Sequence, residues 1–195
     1  MVRWFALADV NHSPAFFDVA KLTHMNGEYL RAMTTQAFIE ACRPWLTGDR
    51  APWPAANFDP EVFARLAPLV QERVATLGEV PRMVDFMFLD QPDFDDDAWA
   101  KAVIGDGLAV AILGAAIEAY TGITDRWTHQ DLHAATLGVA EGVDRRLGKA
   151  QAPIRVAITG RAVGPPLFEA LEVMGPERTL DRLRAAVRRA EGGGS

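Results

Sequence analysis

The segment Ile154–Gly175 reads IRVAITGRAVGPPLFEALEVMG and differs from the rest of the chain. A β-branched run leads into a bend that is rich in glycine and proline between positions 160 and 166. Proline is tolerated in the first turn of a helix, where its missing N–H has no partner, so we expect the bend to open a helix. Leucines and a methionine recur there at helical spacing, and Gly175 predicts the helix end.

This helix start is a candidate binding site. The first N–H groups of a helix have no intrahelical partner, and beside a glycine-containing loop they suit a phosphate or a base edge. Arg155 and Arg161 flank the position. The alternative is a tight turn between core helices, whose arginines only keep the surface soluble.

Composition narrows the function classes. The 195 residues are 49% hydrophobic and 24% charged, as in ordinary globular proteins. A net charge of −6 argues against a nucleic-acid binder held by bulk charge, so any such contact must use a local basic face. A single cysteine, Cys42, excludes an internal disulfide and fits a reducing compartment. With no apolar leader or span visible, we expect a cytoplasmic protein that does not enter a membrane.

Helical periodicity recurs along the chain, and no stretch supports a sheet. The spacing predicts seven further helices, over Val19–Met33, Thr35–Leu46, Pro60–Leu77, Pro81–Leu89, Ala98–Tyr120, Thr128–Leu147 and Glu177–Ala190. The proline- and aspartate-rich segment Gln91–Asp97 predicts a boundary. We therefore expect an all-α fold of two consecutive helical bundles, residues 18–90 and 91–190, with a lead-in over 1–17 and a flexible tail over 191–195.

The pair Asn26–Gly27 in the middle of the first helix departs from helix propensity. We interpret it as a place where another backbone approaches closely or where Asn26 makes a polar contact.

Several patterns carry little chemistry. His129 and His133 have the spacing of a metal-binding pair, but no glutamate follows His129, and the aspartates at 93–97 read more simply as a helix cap. Cys42 on an amphipathic helix reads as a buried, inert thiol. No phosphate-binding loop, dinucleotide fingerprint or nucleophile elbow is present. Arginines and a lysine cluster toward the end of the chain, and we interpret much of the group on the last helix as a solvated face: Arg178, Arg182, Arg184, Arg188 and Arg189.

Four sequence blocks together resemble the C-terminal half of bacterial glutamyl-tRNA synthetase. The blocks are FDVAKLTHMNGEYLR at Phe17–Arg31, RVATL at Arg73–Leu77, IRVAITG at Ile154–Gly160 and GPPLFEALEVMG at Gly164–Gly175. The first departs from the family pattern at His24, where tryptophan is usual. The resemblance covers nearly the whole chain and implies an all-helical anticodon-binding half that contacts tRNA-Glu.

The resemblance also implies site residues. Arg73 falls where discriminating members carry the arginine that reads the third anticodon base and rejects tRNA-Gln, and Arg155 matches an arginine that contacts the anticodon loop. The first block lies along the tRNA in the family and implies contacts from Lys21, Asn26 and Arg31. The bend matches the segment that approaches an anticodon base, which implicates Thr159, Arg161, Gly164 and Pro165. Gly164 replaces a hydroxyl side chain found in some members.

The catalytic signatures of the family, HIGH and KMSKS, do not occur in this sequence. The resemblance places them in a domain that would precede residue 1, so we expect no aminoacylation from this chain, with ATP and magnesium bound only by that domain. We expect a monomer whose partners are tRNA-Glu and a separate catalytic domain. Two alternatives stay open: a free-standing protein-interaction module that no longer reads tRNA, and a small metal-dependent enzyme using His129, His133 and the aspartates.

Overall fold

The computed structural model describes residues 18–123 and 126–192. In these ranges the chain forms α-helices joined by turns and contains no strand, which confirms the all-α prediction. The helices are α1 Val19–Ala32, α2 Thr35–Leu46, α3 Pro60–Gln71, α4 Val80–Phe88, α5 Asp96–Trp99, α6 Ala109–Thr121, α7 His129–Gly142, α8 Leu147–Thr159, α9 Leu167–Met174 and α10 Pro176–Gly192. The predicted lead-in over 1–17 lies outside the described residues, as do tail residues 193–195.

The helix starts follow local capping chemistry. The side chains of Asp18, Thr34, Asp59 and Thr128 each accept a backbone N–H from the first turn of the helix that follows. A cap of this kind is worth about 1 kcal/mol, because it satisfies a donor that has no intrahelical partner. The sequence therefore fixes where α1, α2, α3 and α7 begin.

Three helix boundaries differ from the predicted ones. The stretch predicted as one helix from Ala98 to Tyr120, loosened at Gly105 and Gly107, is interrupted at residues 105–108. The segments on either side, Asp96–Ile104, which ends in a π-helical turn, and Ala109–Thr121, are bent by 84°. The predicted helix ending at Leu147 stops instead at Gly142, because Asp144 adopts a positive φ of 51°. The α3 helix ends at Gln71, short of Leu77.

The β-branched run at Ile154–Ile158 forms the last turns of α8. Four of its five residues are buried, and Arg155 is the half-buried exception. Burial in the core overrides the modest helix penalty of β-branched residues. The α8 helix ends at Gly160, whose φ of +75° is the left-handed conformation that favours glycine.

A hydrophobic core runs through both halves of the chain. In the first half α2 packs against α3 and α4, and in the second half α10 packs along α6 and α8. Contacts between α3 and α9 join the halves. The division at residue 91 stays a prediction.

The last helix extends beyond its predicted end. The α10 helix continues through Gly192, two residues into the predicted tail.

Among the described residues no single helix is long and apolar enough to cross a membrane; one sharply bent pair, Asp96–Ile104 with Ala109–Thr121, meets the criteria of length and composition.

Candidate nucleic-acid interface

The two arginines predicted to read the anticodon come from different halves of the chain. Arg73 follows the end of α3, is exposed, and donates from Nη1 to the Leu69 carbonyl oxygen at 3.0 Å. Arg155 lies on α8 and is half-buried. Burial lowers the pKa of Arg155, the positive charge of Arg73 lowers it further, and Glu169 opposes both effects. The two guanidinium groups therefore lie within range of each other's electric field.

Arg73 is positioned by contacts of the turn that follows it. The Asn26 side-chain amide on α1 donates to the Ala75 carbonyl oxygen at 2.5 Å, and a Cβ on Gly27 would lie 3.3 Å from the Ala75 Cα. The Glu79 carboxylate accepts the Ala75 N–H at 3.2 Å. Both interpretations of Asn26–Gly27 are confirmed, since a backbone approaches and the amide makes a polar contact. The predicted RNA contact of Asn26 stays a prediction.

Arg155 is held by the bend that the sequence predicted beside it. Its Nη1 donates to the Pro165 carbonyl oxygen at 2.8 Å. A Cβ on Gly164 would lie 3.6 Å from the same nitrogen, so the loop passes directly over the guanidinium. The Thr159 side chain is buried, and its hydroxyl accepts the Arg161 N–H at 3.2 Å. Thr159 thus closes the helix end with its side chain turned toward the protein backbone.

Arg161 is paired inside the protein, and its predicted RNA contact stays a prediction. Its Nη1 and Nη2 donate to the two carboxylate oxygens of Asp85 at 2.6 Å each, and its side chain is only 12% exposed. Further contacts reach the Arg82 carbonyl oxygen at 2.9 Å and the Asp93 carboxylate at 3.3 Å. The hydrogen bonds to Asp85 raise the pKa of Arg161 above its ordinary value. The guanidinium is therefore occupied by a partner from the first half of the chain.

The remaining predicted residues occupy α1 and the loop. Lys21 is exposed in the first turn of α1, and Arg31 is half-buried near its end. Pro165 is buried, whereas Val163 at the loop tip is 79% exposed. The structure thus holds Arg155 against the loop, while Arg73 follows α3 and Lys21 extends from α1.

Comparison with known proteins identifies the family. The sequence model described as "Anticodon binding domain" matches residues 37–187. The chain belongs to the anticodon-binding domain family.

Curated relatives of this anticodon-binding domain are named glutamate–tRNA ligases. The chain is 50% identical over 194 residues to the ligase of Thermobifida fusca, covering 100% of this chain and 40% of that protein. It is 51% identical over 189 residues to the ligase of Frankia casuarinae, covering 97% of this chain and 39% of that protein. The chain therefore spans about two fifths of the length of these relatives. The predicted resemblance to glutamyl-tRNA synthetase is confirmed.

A solved structure supports the same fold. The glutamate tRNA ligase of Elizabethkingia meningosepticum, in complex with its amino acid, superposes with a TM-score of 0.72 at 23% identity. The match covers 94% of this chain and 35% of the other.

A cavity of about 200 Å³ lies beside Arg155 in the anticodon-binding domain. Its walls come from α8, the π-helical turn and the loop, and they include Gln151, Ala152 and Ala162. A guanidinium and an amide at the edge of this cavity are groups that stack on or hydrogen-bond to an unstacked base. Sequence reasoning missed Gln151, although it lies one helical turn before Arg155 and so on the same helix face.

Two arginines of α10 act inside the protein. Arg178 donates to the carbonyl oxygens of Met87 at 2.5 Å and Leu89 at 2.6 Å. Arg182 donates to those of Ile158 at 2.7 Å and Leu89 at 2.8 Å, and burial lowers its pKa to about 9. These bonds satisfy backbone carbonyl oxygens at the C-terminal ends of α4 and α8. The predicted solvated face of α10 is therefore wrong at these two positions; the signal was their placement beside Thr179 and Leu183 on the apolar face.

The alternative metal pair makes other contacts. The His129 ring Nδ1 lies 2.7 Å from a Glu172 carboxylate oxygen, and His133 meets the Phe168 ring edge-on with centroids 5.2 Å apart. Across residues 18–123 and 126–192, no three His, Cys, Asp or Glu side chains come close enough to hold a metal ion.

Proposed function

We propose that this chain recognises the anticodon of tRNA-Glu as part of a glutamate–tRNA ligase. The observation that carries the proposal is that Arg73 and Arg155, from separate halves of the chain, act on each other electrostatically, with α3 packed on α9 and Arg155 held by the loop at 160–166. The choice of tRNA-Glu rests on the names of the relatives, which are glutamate–tRNA ligases.

The physics of RNA recognition supports this assignment. Anticodon bases are unstacked, so a protein reads them on their edges. A guanidinium presents a rigid planar set of donors that forms paired hydrogen bonds with a base. By analogy with groove readout, one such pair is worth about 1–3 kcal/mol of discrimination, or roughly ten- to hundred-fold. Two guanidinium groups that repel each other gain from binding an acceptor between them, which favours a base edge or a phosphate there.

The net charge of −6 restricts how the chain binds. Binding depends on a few local cations, so it weakens as salt screens the phosphate contacts. We further propose that glutamate activation and transfer, with ATP and magnesium, belong to the part of the ligase that this chain does not cover.

Filter binding to two RNAs tests the proposal. One RNA is tRNA-Glu, and the other is the same tRNA with its third anticodon base changed to that of tRNA-Gln. We expect the wild-type chain to prefer tRNA-Glu about ten-fold or more, and R73Q to reduce that preference toward one. R155Q should weaken binding to both RNAs.

The matched control is R43Q, which removes one positive charge from an exposed position on α2. It should keep the preference of the wild-type chain. Equal affinity of the wild-type chain for both RNAs in dilute buffer, or an unchanged preference in R73Q, contradicts the proposal.

A second candidate function is protein docking through α1. Along one side of this helix the large apolar side chains are exposed: Val19 63%, Leu22 44%, Met25 40%, Tyr29 67% and Met33 39%. Such a stripe is typical of a surface that another protein covers. Size-exclusion chromatography of the chain, mixed with the part of a relative's ligase that it does not cover, tests this function. We expect co-elution that the Tyr29→Glu substitution abolishes.

A further inference from the structure

The Asp85–Arg161 ion pair joins the two halves of the chain inside the protein. The side chains are 5% and 12% exposed, and the pair is bidentate with both contacts at 2.6 Å. Asp85 lies on α4, whereas Arg161 begins the loop that follows α8. We propose that this pair is a positioning element for anticodon recognition, which sets Arg73 and Arg155 in one fixed relative orientation. The inference rests on the proposed function.

One end of the pair is coupled to Arg73. From Arg73 the chain runs through the turn at Leu77–Glu79 directly into α4, which carries Asp85. The Arg161 guanidinium also donates to the Arg82 carbonyl oxygen of α4 at 2.9 Å. Arg161 therefore holds α4 at two points, one on its backbone and one on a side chain.

The other end is coupled to Arg155. The loop that begins at Gly160 and Arg161 comes back to α8 at Pro165. The Pro165 carbonyl oxygen accepts a hydrogen bond from the Arg155 guanidinium at 2.8 Å. A shift of Arg161 away from α4 would therefore move the segment that holds Arg155. The ion pair thus lies between the two segments that carry the proposed readers.

Stability alone is a weak reason for such a pair. Taking two charges out of water offsets much of their attraction, and packed apolar side chains of similar volume are often as stable. What the fork of an arginine adds is geometry, because two parallel hydrogen bonds fix both distance and orientation. We therefore expect loss of the pair to affect orientation, and hence discrimination, more than general RNA affinity.

The test compares D85N with D93N. Both variants remove one carboxylate charge from the surroundings of Arg161, but Asp93 is 76% exposed and its contact is longer, at 3.3 Å. The binding readout is the preference of the full chain for tRNA-Glu over the tRNA with the changed third base. We expect D85N to lower this preference at least five-fold while its affinity for the changed tRNA stays within two-fold. D93N should match the wild-type chain.

The second readout is the distance between the two halves. Spin labels at Gln36→Cys on α2 and Glu141→Cys on α7 sit at exposed positions, and buried Cys42 does not compete for the label. We expect one narrow distance distribution in the wild-type background and a broadened one in D85N. A preference within two-fold of wild type in D85N, or an unchanged distribution, overturns the inference.

Failure of the proposed function and failure of a variant to fold can each be told apart from failure of the positioning role. If the wild-type chain shows no preference between the RNAs, anticodon recognition fails and the label distances decide the positioning claim alone. If D85N does not fold, R161K replaces it, because lysine keeps the charge but loses the bidentate geometry. R161K should broaden the distribution and lower the preference; wild-type behaviour in R161K overturns the inference.

Discussion

Replacing Gly160 with alanine tests how firmly the segment between the two halves is held. Gly160 has a φ of +75°, and a Cβ there would lie 2.2 Å from the Asp93 carbonyl oxygen. The Asp95 N–H donates to the Gly160 carbonyl oxygen at 2.9 Å, so the two backbones are bonded at the point of closest approach. The new methyl group cannot be accommodated without moving the backbone of one segment.

The expected cost has two parts. A left-handed conformation costs a non-glycine residue about 1–2 kcal/mol, and overpacking costs about 1–3 kcal/mol more. We therefore expect G160A to lower the free energy of unfolding by about 2–5 kcal/mol, measured by urea denaturation followed by circular dichroism.

Two controls separate these parts. Gly48 has a φ of +78° with no atom within 4 Å of the Cβ position, so G48A should cost about 1–2 kcal/mol. Gly138 lies inside α7 with open space around it, so G138A should stabilise the chain by roughly 0.5–1 kcal/mol. If G160A costs no more than G48A, the Asp93 segment moves freely and the rigid joint between the halves is refuted.

Two other predictions concern titratable groups. Burial raises the pKa of Cys42 to about 12, so a thiol reagent at pH 8 should leave the native chain unmodified and react within minutes in denaturant; rapid reaction of the native chain would contradict its burial. Hydrogen bonds from the His129 ring and backbone lower the pKa of Glu172 below its ordinary value. The stability contributed by Glu172 is therefore present above its unfolded pKa, near 4.3, and is lost as the pH falls through its folded pKa. E172Q should be less stable than wild type at pH 7, and the difference should shrink as the pH falls below the unfolded pKa; a stability difference that does not change with pH would show that the contact acts through packing.

Features that depend on neighbours in sequence could be predicted. The starts of α1, α2 and α3, the bend after α8 and the meaning of Asn26–Gly27 each follow from a few adjacent residues. Gly160 was predicted as part of the bend, and the structure gives it the conformation that only glycine adopts easily.

Features that depend on distant partners could not be predicted. Asp85 and Arg161 are 76 residues apart, and nothing in either local pattern indicates the other. The same holds for Arg178 and Arg182, whose partners are backbone carbonyls about 90 residues away or in α8. A guanidinium in sequence looks equally suited to RNA, water or a helix end, and only the fold decides among them.

The measurement that tests the central claim most directly is the arginine side-chain NMR spectrum of the chain during titration with the tRNA-Glu anticodon stem–loop. The account predicts that the Nε–H signals of Arg73 and Arg155 shift together, whereas that of Arg184, paired with Asp181 on α10, does not. The shifts should shrink when the third anticodon base is changed. Unmoved signals of Arg73 and Arg155 at saturating RNA, or equal shifts of Arg184, would contradict it.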